Sequence, residues 1–212
     1  MIYNIYKPND CSSFSVVNQV KKITNQKVGH SGTLDPFADG VLVLGIGKST
    51  KLLSDIIQFD KTYEGILNLG KKTDSMDLTG KVIEEKDIPK ITSAQLKKCE
   101  DSFLGEQLQR TPMFSARKIN GVRLYKLARK NMEIKTNPKL VTIKSLSIEP
   151  LSSNSFKIIV TCTSGTYIRV LAEDIAKKLN TVGHLTKLTR LSVGEHHIDD
   201  SLSIDRFKNE WK

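Results

Sequence analysis

The amino-acid sequence predicts an α/β fold of the α+β type, in which helices flank a mixed β-sheet. The chain has 212 residues, of which 38% are hydrophobic and 26% charged; this composition is typical of a globular domain with a substantial core. Segments with helical and strand periodicity interleave, and several strand-like segments occur in neighbouring pairs. Such pairs favour a mixed sheet over a doubly wound parallel one. We therefore expect one domain, with room for an insertion.

Three elements are predicted in the first third of the chain. Residues 12–24 predict a helix, because serines suited to N-capping precede apolar residues at helical spacing. Residues 41–47, VLVLGIG, have the β-branched content and glycine boundaries of a buried strand. Residues 63–70, YEGILNLG, predict a second strand by the same criteria.

Three further elements are predicted in the rest of the chain. Residues 92–104 predict a helix, because a capping box pairs Thr92 with Gln95 and a glycine follows the last apolar residue. Residues 156–162, FKIIVTC, alternate as a half-buried strand does. Residues 166–180 predict another helix, with apolar residues on one core-facing stripe.

The segment at about 112–137 is interpreted as an excursion from this core. Asn120-Gly121 is a strong turn signal, and residues 122–131, VRLYKLARKN, predict a short helix after it.

Positive charge is concentrated in and just after this segment. The formal net charge of the chain is +10, and from residue 117 to residue 144 nine basic residues stand against one acidic residue, a net charge of +8. A solvated lysine-rich face and a polyanion-binding surface both fit such a cluster, and its density slightly favours nucleic acid. The basic residues are Arg117, Lys118, Arg123, Lys126, Arg129, Lys130, Lys135, Lys139 and Lys144.

Several classes of protein are disfavoured. The longest apolar run, residues 41–47, is too short to span a bilayer, and the N-terminus lacks the pattern of a signal peptide, so we expect a cytoplasmic protein. Three widely spaced cysteines, Cys11, Cys99 and Cys162, argue against a disulfide framework or a zinc cluster, and we expect no metal.

Residues 45–50, GIGKST, resemble the end of a phosphate-binding loop. The pattern G-x-x-x-x-G-K-[ST] requires a glycine five positions before Gly47, where this chain has Leu42. We therefore expect no nucleotide cofactor and interpret GIGKST as the end of a supporting strand.

The loop 29–40, GHSGTLDPFADG, is the most unusual stretch of the chain. Its Asp35-Pro36 pair is typical of a simple turn, since proline biases the preceding residue away from helical geometry. Its glycines instead favour close approach of another molecule, because they permit backbone conformations that other residues obstruct. On these residues alone, the turn interpretation of Asp35 is the better supported.

This loop and five other blocks, in one order, resemble the bacterial TruB family of tRNA pseudouridine synthases. The blocks cover most of the chain. They are YKP at 6–8, GHSGTLDPFADGVL from 29, KTYEGILNLGKKTDSMDLTG at 61–80, QRTPMFSARKINGVRLYKLARK at 109–130, SGTYIRVLAEDIA at 164–176 and LTRLSVG at 188–194.

The resemblance implies a pseudouridine synthase fold and a cofactor-independent isomerase. It implies a largely antiparallel sheet, one catalytic domain over residues 1–212, and a basic thumb at about 112–137 that clamps RNA. It also implies conversion of uridine-55 in the T loop of tRNA to pseudouridine, by base flipping, cleavage of the glycosidic bond and reattachment at C5. The expected partner is the T arm of tRNA, and we expect a monomer without a membrane or nucleotide partner.

The resemblance also assigns roles to individual residues. Asp35 becomes the catalytic carboxylate, Arg169 its cationic partner, and Tyr63 a ring that stacks on uracil or accepts the C5 proton. His30 becomes the wedge that fills the space left by the flipped base, and Leu188 lines the uracil pocket. The remaining substrate-binding residues are Lys7 in a supporting structural role, Gly29, Gly32, Arg117, Lys118, Arg123 and Lys126.

The chain departs from the family pattern at two places, and two alternative functions are compatible with the sequence. Asp10 stands where the first motif usually has glycine, which affects the conformation expected there. The chain also ends at Lys212, without the full C-terminal RNA-binding domain that bacterial members usually carry. The alternatives are a non-catalytic RNA-binding or RNA-folding module, and the same chemistry on another RNA.

Overall fold

A computed structural model describes residues 1–119, 121–128, 132, 134 and 136–211, with Lys118 described through its backbone alone. The chain forms two compact units. The first comprises Met1–Gly65, Ile159–Ser164 and Lys187–Lys212, and the second comprises Ile66–Ile158 and Gly165–Thr186.

The described elements alternate between helices and strands along the chain. The helices are α1 (Ser13–Thr24), α2 (Leu53–Ile56), α3 (Ser93–Phe103), α4 (Leu124–Ala128), α5 (Ile168–Lys178) and α6 (Ile204–Glu210), with 3₁₀ turns at Gly47–Leu52 and Ile198–Asp200. The strands are β1 (Ile2–Lys7), β2 (Val28–His30), β3 (Asp39–Ile46), β4 (Lys61–Leu69), β5 (Lys71–Thr73), β6 (Val82–Glu85), β7 (Gly105–Gln109), β8 (Lys118–Ile119), β9 (Val122–Arg123), β10 (Lys139–Pro150), β11 (Ser155–Cys162), β12 (Gly183–Val193) and β13 (His196–His197).

Strand β3 organises the sheet of the first unit. Strands β1 and β2 pair with it antiparallel, whereas β12 pairs with it in parallel, with Thr189 opposite Asp39 and Arg190 opposite Gly40. The sheet is therefore mixed, as the sequence predicted.

Both faces of β3 are covered, which explains its continuous apolar sequence. Because side chains alternate along a strand, Leu42, Leu44 and Ile46 pack on one side with α1 and with Phe207 of α6. Val41 and Val43 pack on the other side with Leu53, Ile56 and Val193. The apolar run is thus a buried central strand.

Helix α1 begins where the serines indicated. The Ser12 side chain accepts a hydrogen bond from the backbone N–H of Ser15, and the helix ends at Asn25 in the left-handed region.

In the second unit, β7 pairs antiparallel with β10, which lies beside β11. The capping box of α3 is present, with both Thr92 and Gln95 hydrogen-bonded as predicted. Helix α5 buries the predicted stripe of Ile168, Leu171, Ile175 and Leu179.

The predicted fold class and the main predicted helices and strands are confirmed, with two local corrections. Val122 and Arg123 form strand β9, paired with β8, so the helix predicted from residue 122 begins at Leu124. The strand that contains GIGKST ends at Ile46, and a 3₁₀ turn follows it. Asn120 and residues 129–131 lie outside the described residues.

None of the helices in the described part of the chain has the length and apolar character needed to cross a bilayer.

Candidate active site

Asp35 lies in the loop that connects β2 to β3 in the first unit. The backbone N–H of Ala38 donates to the carbonyl of Asp35 over 3.1 Å, which closes a turn with Pro36 as its second residue. Proline is favoured at that position of a turn. Asp35 is therefore a turn residue, as its sequence context indicated, and its chemical role stays a prediction.

The start of α1 anchors the same loop. The Ser13 hydroxyl donates to the carbonyl of Leu34 over 3.1 Å and accepts from the backbone N–H of Leu34 over 2.9 Å. Because Ser13 is buried, these two bonds fix the backbone just before Asp35 against a helix of the core.

Lys7 holds the loop just after Asp35. Its side chain is 0% exposed, and its ammonium group donates to the carbonyls of Pro8, Pro36 and Ala38 over 2.8, 3.3 and 2.5 Å. Burial lowers the pKa of Lys7, while the carboxylates of Asp39 and Asp35 oppose that shift. These contacts hold the backbone at the loop's proline and two residues after it, and the part of Lys7 in substrate binding stays a prediction.

Arg190 holds the loop from the other side. The residue is 1% exposed; its Nε donates to the carbonyl of Val41 over 2.8 Å and its Nη2 to the carbonyl of Gly32 over 3.1 Å. Two buried cations, Lys7 and Arg190, thus bind carbonyls on both sides of Asp35.

Tyr63 is influenced electrostatically by the same guanidinium. It lies in β4 and is 8% exposed, and the positive charge of Arg190 acts on its hydroxyl. Burial raises the pKa of Tyr63, although the charge of Arg190 opposes this, so the phenol is protonated at neutral pH. Leu188, two residues before Arg190 on β12, is buried and faces the same side of that strand.

His30 is the last residue of β2 and is half-buried. Its Nδ1 accepts a hydrogen bond from the backbone N–H of Gly32 over 3.2 Å, which requires Nδ1 to be deprotonated. Burial lowers the pKa of His30, and the charge of Arg190 adds to this effect. The ring is therefore neutral near pH 7.

The loop glycines make room for the protein's own atoms. A Cβ at Gly40, where φ is +104°, would lie 2.3 Å from the carbonyl oxygen of Arg190, and a Cβ at Gly29 would lie 2.9 Å from Leu53. Gly32 has a φ of +132° beside the Arg190 guanidinium. The packing and backbone conformation of the protein itself therefore explain why glycine occupies these positions. The close approach of RNA to Gly29 and Gly32 stays a prediction.

Asp10 has a φ of +57°, in the left-handed region. Aspartate adopts this region more readily than most residues with a side chain. The first motif of this chain therefore keeps a conformation typical of glycine without having one.

Arg169 is a buried cation of the second unit, 3% exposed at the start of α5. It donates to the carbonyls of Ser75 and Phe114, each over 2.7 Å, and lies 3.5 Å from the carboxylate of Asp77. Asp77 in turn accepts hydrogen bonds from Ser75 and Thr79. The predicted partnership of Arg169 with Asp35 stays a prediction.

The predicted RNA-binding residues of the basic segment also belong to the second unit. Arg117, Arg123 and Lys126 are exposed. Lys118 and Arg123 occupy opposite positions in the β8–β9 hairpin, which presents this segment as a ribbon.

The sequence prediction missed Arg190 and Asp77. Both lie in blocks that it quoted, LTRLSVG and KKTDSMDLTG, but it assigned them no role. The available signal for Arg190 was a charged residue within an apolar strand, since a fully buried arginine is rare unless it is paired.

Comparisons with known proteins identify the family of the chain. A family model described as TruB family pseudouridylate synthase (N terminal domain) matches residues 20–168. The tRNA pseudouridine synthase B of Psychrobacter cryohalolentis is 40% identical over 204 residues, which cover 93% of this chain and 57% of the relative. The protein of that name from Clostridium tetani is 40% identical over 210 residues, covering 99% of this chain and 73% of the relative.

The chain thus spans little more than half the length of the Psychrobacter relative. A chain in the crystal structure of a Cbf5-Nop10-Gar1 complex superposes with a TM-score of 0.76 at 23% identity, covering 98% of this chain and 53% of that one. At this identity the likeness concerns the fold alone. The matched family model and the 40% identities establish that the chain belongs to the TruB family of pseudouridylate synthases.

Proposed function

We infer that this protein converts a uridine of tRNA to pseudouridine, at position 55 in the T loop, with Asp35 as the catalytic carboxylate. In this reaction the bond from ribose C1′ to uracil N1 breaks, the base rotates, and C1′ bonds to C5. The C5 proton is lost and N1 gains one, so atoms balance without an oxidant or a cofactor. Family membership and the relatives named tRNA pseudouridine synthase B support the reaction and the substrate.

The observation that carries the proposal is the rigid support of the Asp35 loop. Buried Lys7 binds the carbonyls of Pro36 and Ala38, and buried Arg190 binds those of Gly32 and Val41. A loop held only as a surface turn does not need two buried cations, whereas a catalytic carboxylate must be fixed before its substrate arrives.

Tyr63 is proposed to contact the flipped uracil. Its raised pKa keeps the phenol protonated at neutral pH, which favours stacking and hydrogen bonding over a role as a base in the resting enzyme. Acceptance of the C5 proton remains the alternative role, and it requires the Arg190 guanidinium to stabilise the phenolate.

His30 and the basic segment are proposed to deliver the base. A uridine in a folded T loop must leave its stack, and a neutral aromatic ring such as His30 can fill the space it leaves. Leu188 is proposed to line the uracil pocket, and Arg169 to be the cationic partner of Asp35. The RNA backbone is proposed to be held by Arg117, Lys118, Arg123 and Lys126.

The proposal is tested with T-arm RNA tritiated at uracil C5. Wild type should release tritium, and Asp35→Asn should release it on the order of a thousandfold more slowly or worse, because the carboxylate takes part in the chemistry. Asp35→Asn should retain the RNA affinity and the unfolding midpoint of wild type, which shows that the fold survives.

Three other results have distinct meanings. Binding without tritium release by wild type would identify a non-catalytic RNA-binding module. Release from another RNA but not from the T arm would assign the same chemistry to a different substrate. Undiminished release by Asp35→Asn would remove Asp35 from the mechanism.

A further inference from the structure

The second unit contains a pocket whose lining is basic. Its volume is about 430 Å³, and it is lined by Thr111, Arg117, Pro138, Lys139, Gly165 and Tyr167. This volume is within the range of about 300–1,000 Å³ that small-molecule sites occupy. The lining, all of which the structure describes, comprises two cations, polar side chains and no carboxylate. Its charge fits an anion.

A buried glutamine fixes two walls of this pocket relative to each other. The side-chain amide of Gln109 donates to the carbonyl of Tyr167 over 3.1 Å and accepts from the backbone N–H of Tyr167 over 2.7 Å. Gln109 also stands directly opposite Lys139 in the pairing of β7 with β10. Gln109 therefore holds the backbone of Tyr167 beside the strand pair that carries Lys139.

Arg117 is oriented toward the pocket by its neighbours. Its Nη1 donates to the Thr111 hydroxyl over 2.6 Å and to the carbonyl of Asn137 over 3.4 Å. Both contacts found among the described residues come from Nη1, so the fork formed by Nε and Nη2 is available to a ligand. Such a fork matches the geometry of two phosphate oxygens.

Gly165 positions the second cation. Its φ is +85°, and the ammonium group of Lys139 occupies the space that a Cβ at this position would take. In the observed conformation the lysine side chain therefore lies directly against the backbone of Gly165. The ammonium carries three N–H donors, so a hydrogen bond to the protein leaves it able to donate to a ligand as well.

We propose that Arg117 and Lys139 together bind one backbone phosphate of the RNA substrate in this pocket. The proposal rests on the proposed function. It adds Gly165 to the RNA-binding residues, and it gives a specific role to Lys139, which the sequence analysis counted only as one member of the basic cluster. An arginine fork and a lysine ammonium that line one pocket suit a phosphodiester, whose negative charge is shared by two oxygens.

The test measures RNA affinity in the Asp35→Asn background, so that turnover does not change the RNA during the measurement. Arg117→Gln and Lys139→Gln should each weaken T-arm RNA binding about tenfold, as loss of a charge-assisted hydrogen bond does, and each should make the affinity less dependent on salt. Lys98→Gln is the matched control, because Lys98 is an exposed lysine of α3 in the same unit; its RNA affinity should equal that of the parent.

Two further variants test whether the phosphate is shared. The double variant should lose less affinity than the product of the single losses, because one phosphate accounts for both. Gly165→Ala, which displaces Lys139, should weaken binding in the parent but not in the Lys139→Gln variant. Thermal melting of each variant confirms that it is folded.

Unchanged RNA affinity in both glutamine variants, or fully multiplicative losses, would overturn the shared site. Inorganic phosphate is the second probe: if it raises the melting temperature of the parent but not of Lys139→Gln, while both bind RNA equally, the pocket binds a free anion and the proposal fails. Tritium release by the protein with Asp35 intact decides the proposed function separately, because these affinities do not depend on turnover.

Discussion

The guanidinium of Arg190 donates hydrogen bonds to the β3 backbone at Val41 and to the loop at Gly32, and its charge acts on the hydroxyl of Tyr63. Arg190→Met should lower the free energy of unfolding by about 3 kcal/mol, because two buried carbonyls lose their donor. Urea denaturation measures this loss. Arg206→Met is the matched control: Arg206 is an exposed arginine of α6 in the same unit, and its loss should change stability by less than about 1 kcal/mol.

A double-mutant cycle identifies the contribution of Tyr63 to this network. If the Tyr63 hydroxyl and Arg190 interact, the effects of Tyr63→Phe and Arg190→Met on stability should fail to add by at least about 0.5 kcal/mol. Strict additivity would show that the Tyr63 hydroxyl and Arg190 do not interact in the folded protein.

His30 makes the stability of the first unit depend on pH. Burial lowers the pKa of His30 in the folded chain below its ordinary value of 6.5, so the unfolded chain takes up a proton first as the pH falls. The free energy of unfolding should therefore decrease as the pH drops below 6.5, until the folded pKa is reached. One such group changes stability by at most about 1.4 kcal/mol per pH unit.

His30→Gln isolates this contribution. Urea denaturation from neutral to mildly acidic pH should show a smaller loss of stability in the variant than in wild type. Equal pH dependence of the two proteins would show that His30 titrates normally in the fold.

Among the elements, the parallel contact of β3 with β12 depends on Gly40. A side chain there would meet the backbone of Arg190 at 2.3 Å, and the φ of Gly40 is +104°. Gly40→Ala should therefore destabilise the protein by more than about 1 kcal/mol, as measured by urea denaturation, and should reduce tritium release because Arg190 is displaced.

Gly105→Ala is the control for this prediction. Gly105 has a similar φ of +91° but no heavy atom within 4 Å of a Cβ built there. Its substitution therefore carries the conformational strain alone. A loss of stability at Gly40 no greater than that at Gly105 would show that the β3–β12 contact adapts.

Most helices and strands could be predicted from the sequence because their signals are local. The capping box at Thr92, the glycine boundaries of β3 and the stripe on α5 each depend on residues within a few turns or strand positions. The start of α4 could not be predicted in this way, because Val122 and Arg123 pair with Ile119 and Lys118 of β8. That pairing is set by the hairpin, and helix propensity is a weak competitor.

The candidate site was less predictable than the fold. Asp35 and His30 were singled out only through the resemblance, since a turn aspartate and a lone histidine are common. The hydrogen bonds that hold their loop join residues far apart in the sequence, such as Arg190 with Gly32 and Lys7 with Ala38. No local pattern encodes such contacts, and only the fold reveals that these two cations support the loop.

For the molecule as a whole, the net charge of +10 should control RNA affinity but not the chemical step. Binding of T-arm RNA releases counterions, so the logarithm of the association constant should fall linearly with the logarithm of the salt concentration. If about six phosphates are neutralised, affinity should fall on the order of a thousandfold from low to physiological salt.

The rate of tritium release at saturating RNA should change far less over the same range, because the two cations that hold the Asp35 loop, Lys7 and Arg190, are buried and so are shielded from salt. Asp35→Asn is the control, and its binding should follow the same salt dependence as wild type, since a carboxylate that acts in chemistry neutralises no phosphate. An affinity independent of salt would contradict the role of the basic segment. A salt-dependent rate at saturation would indicate instead that charge contacts with RNA change between the bound state and the transition state.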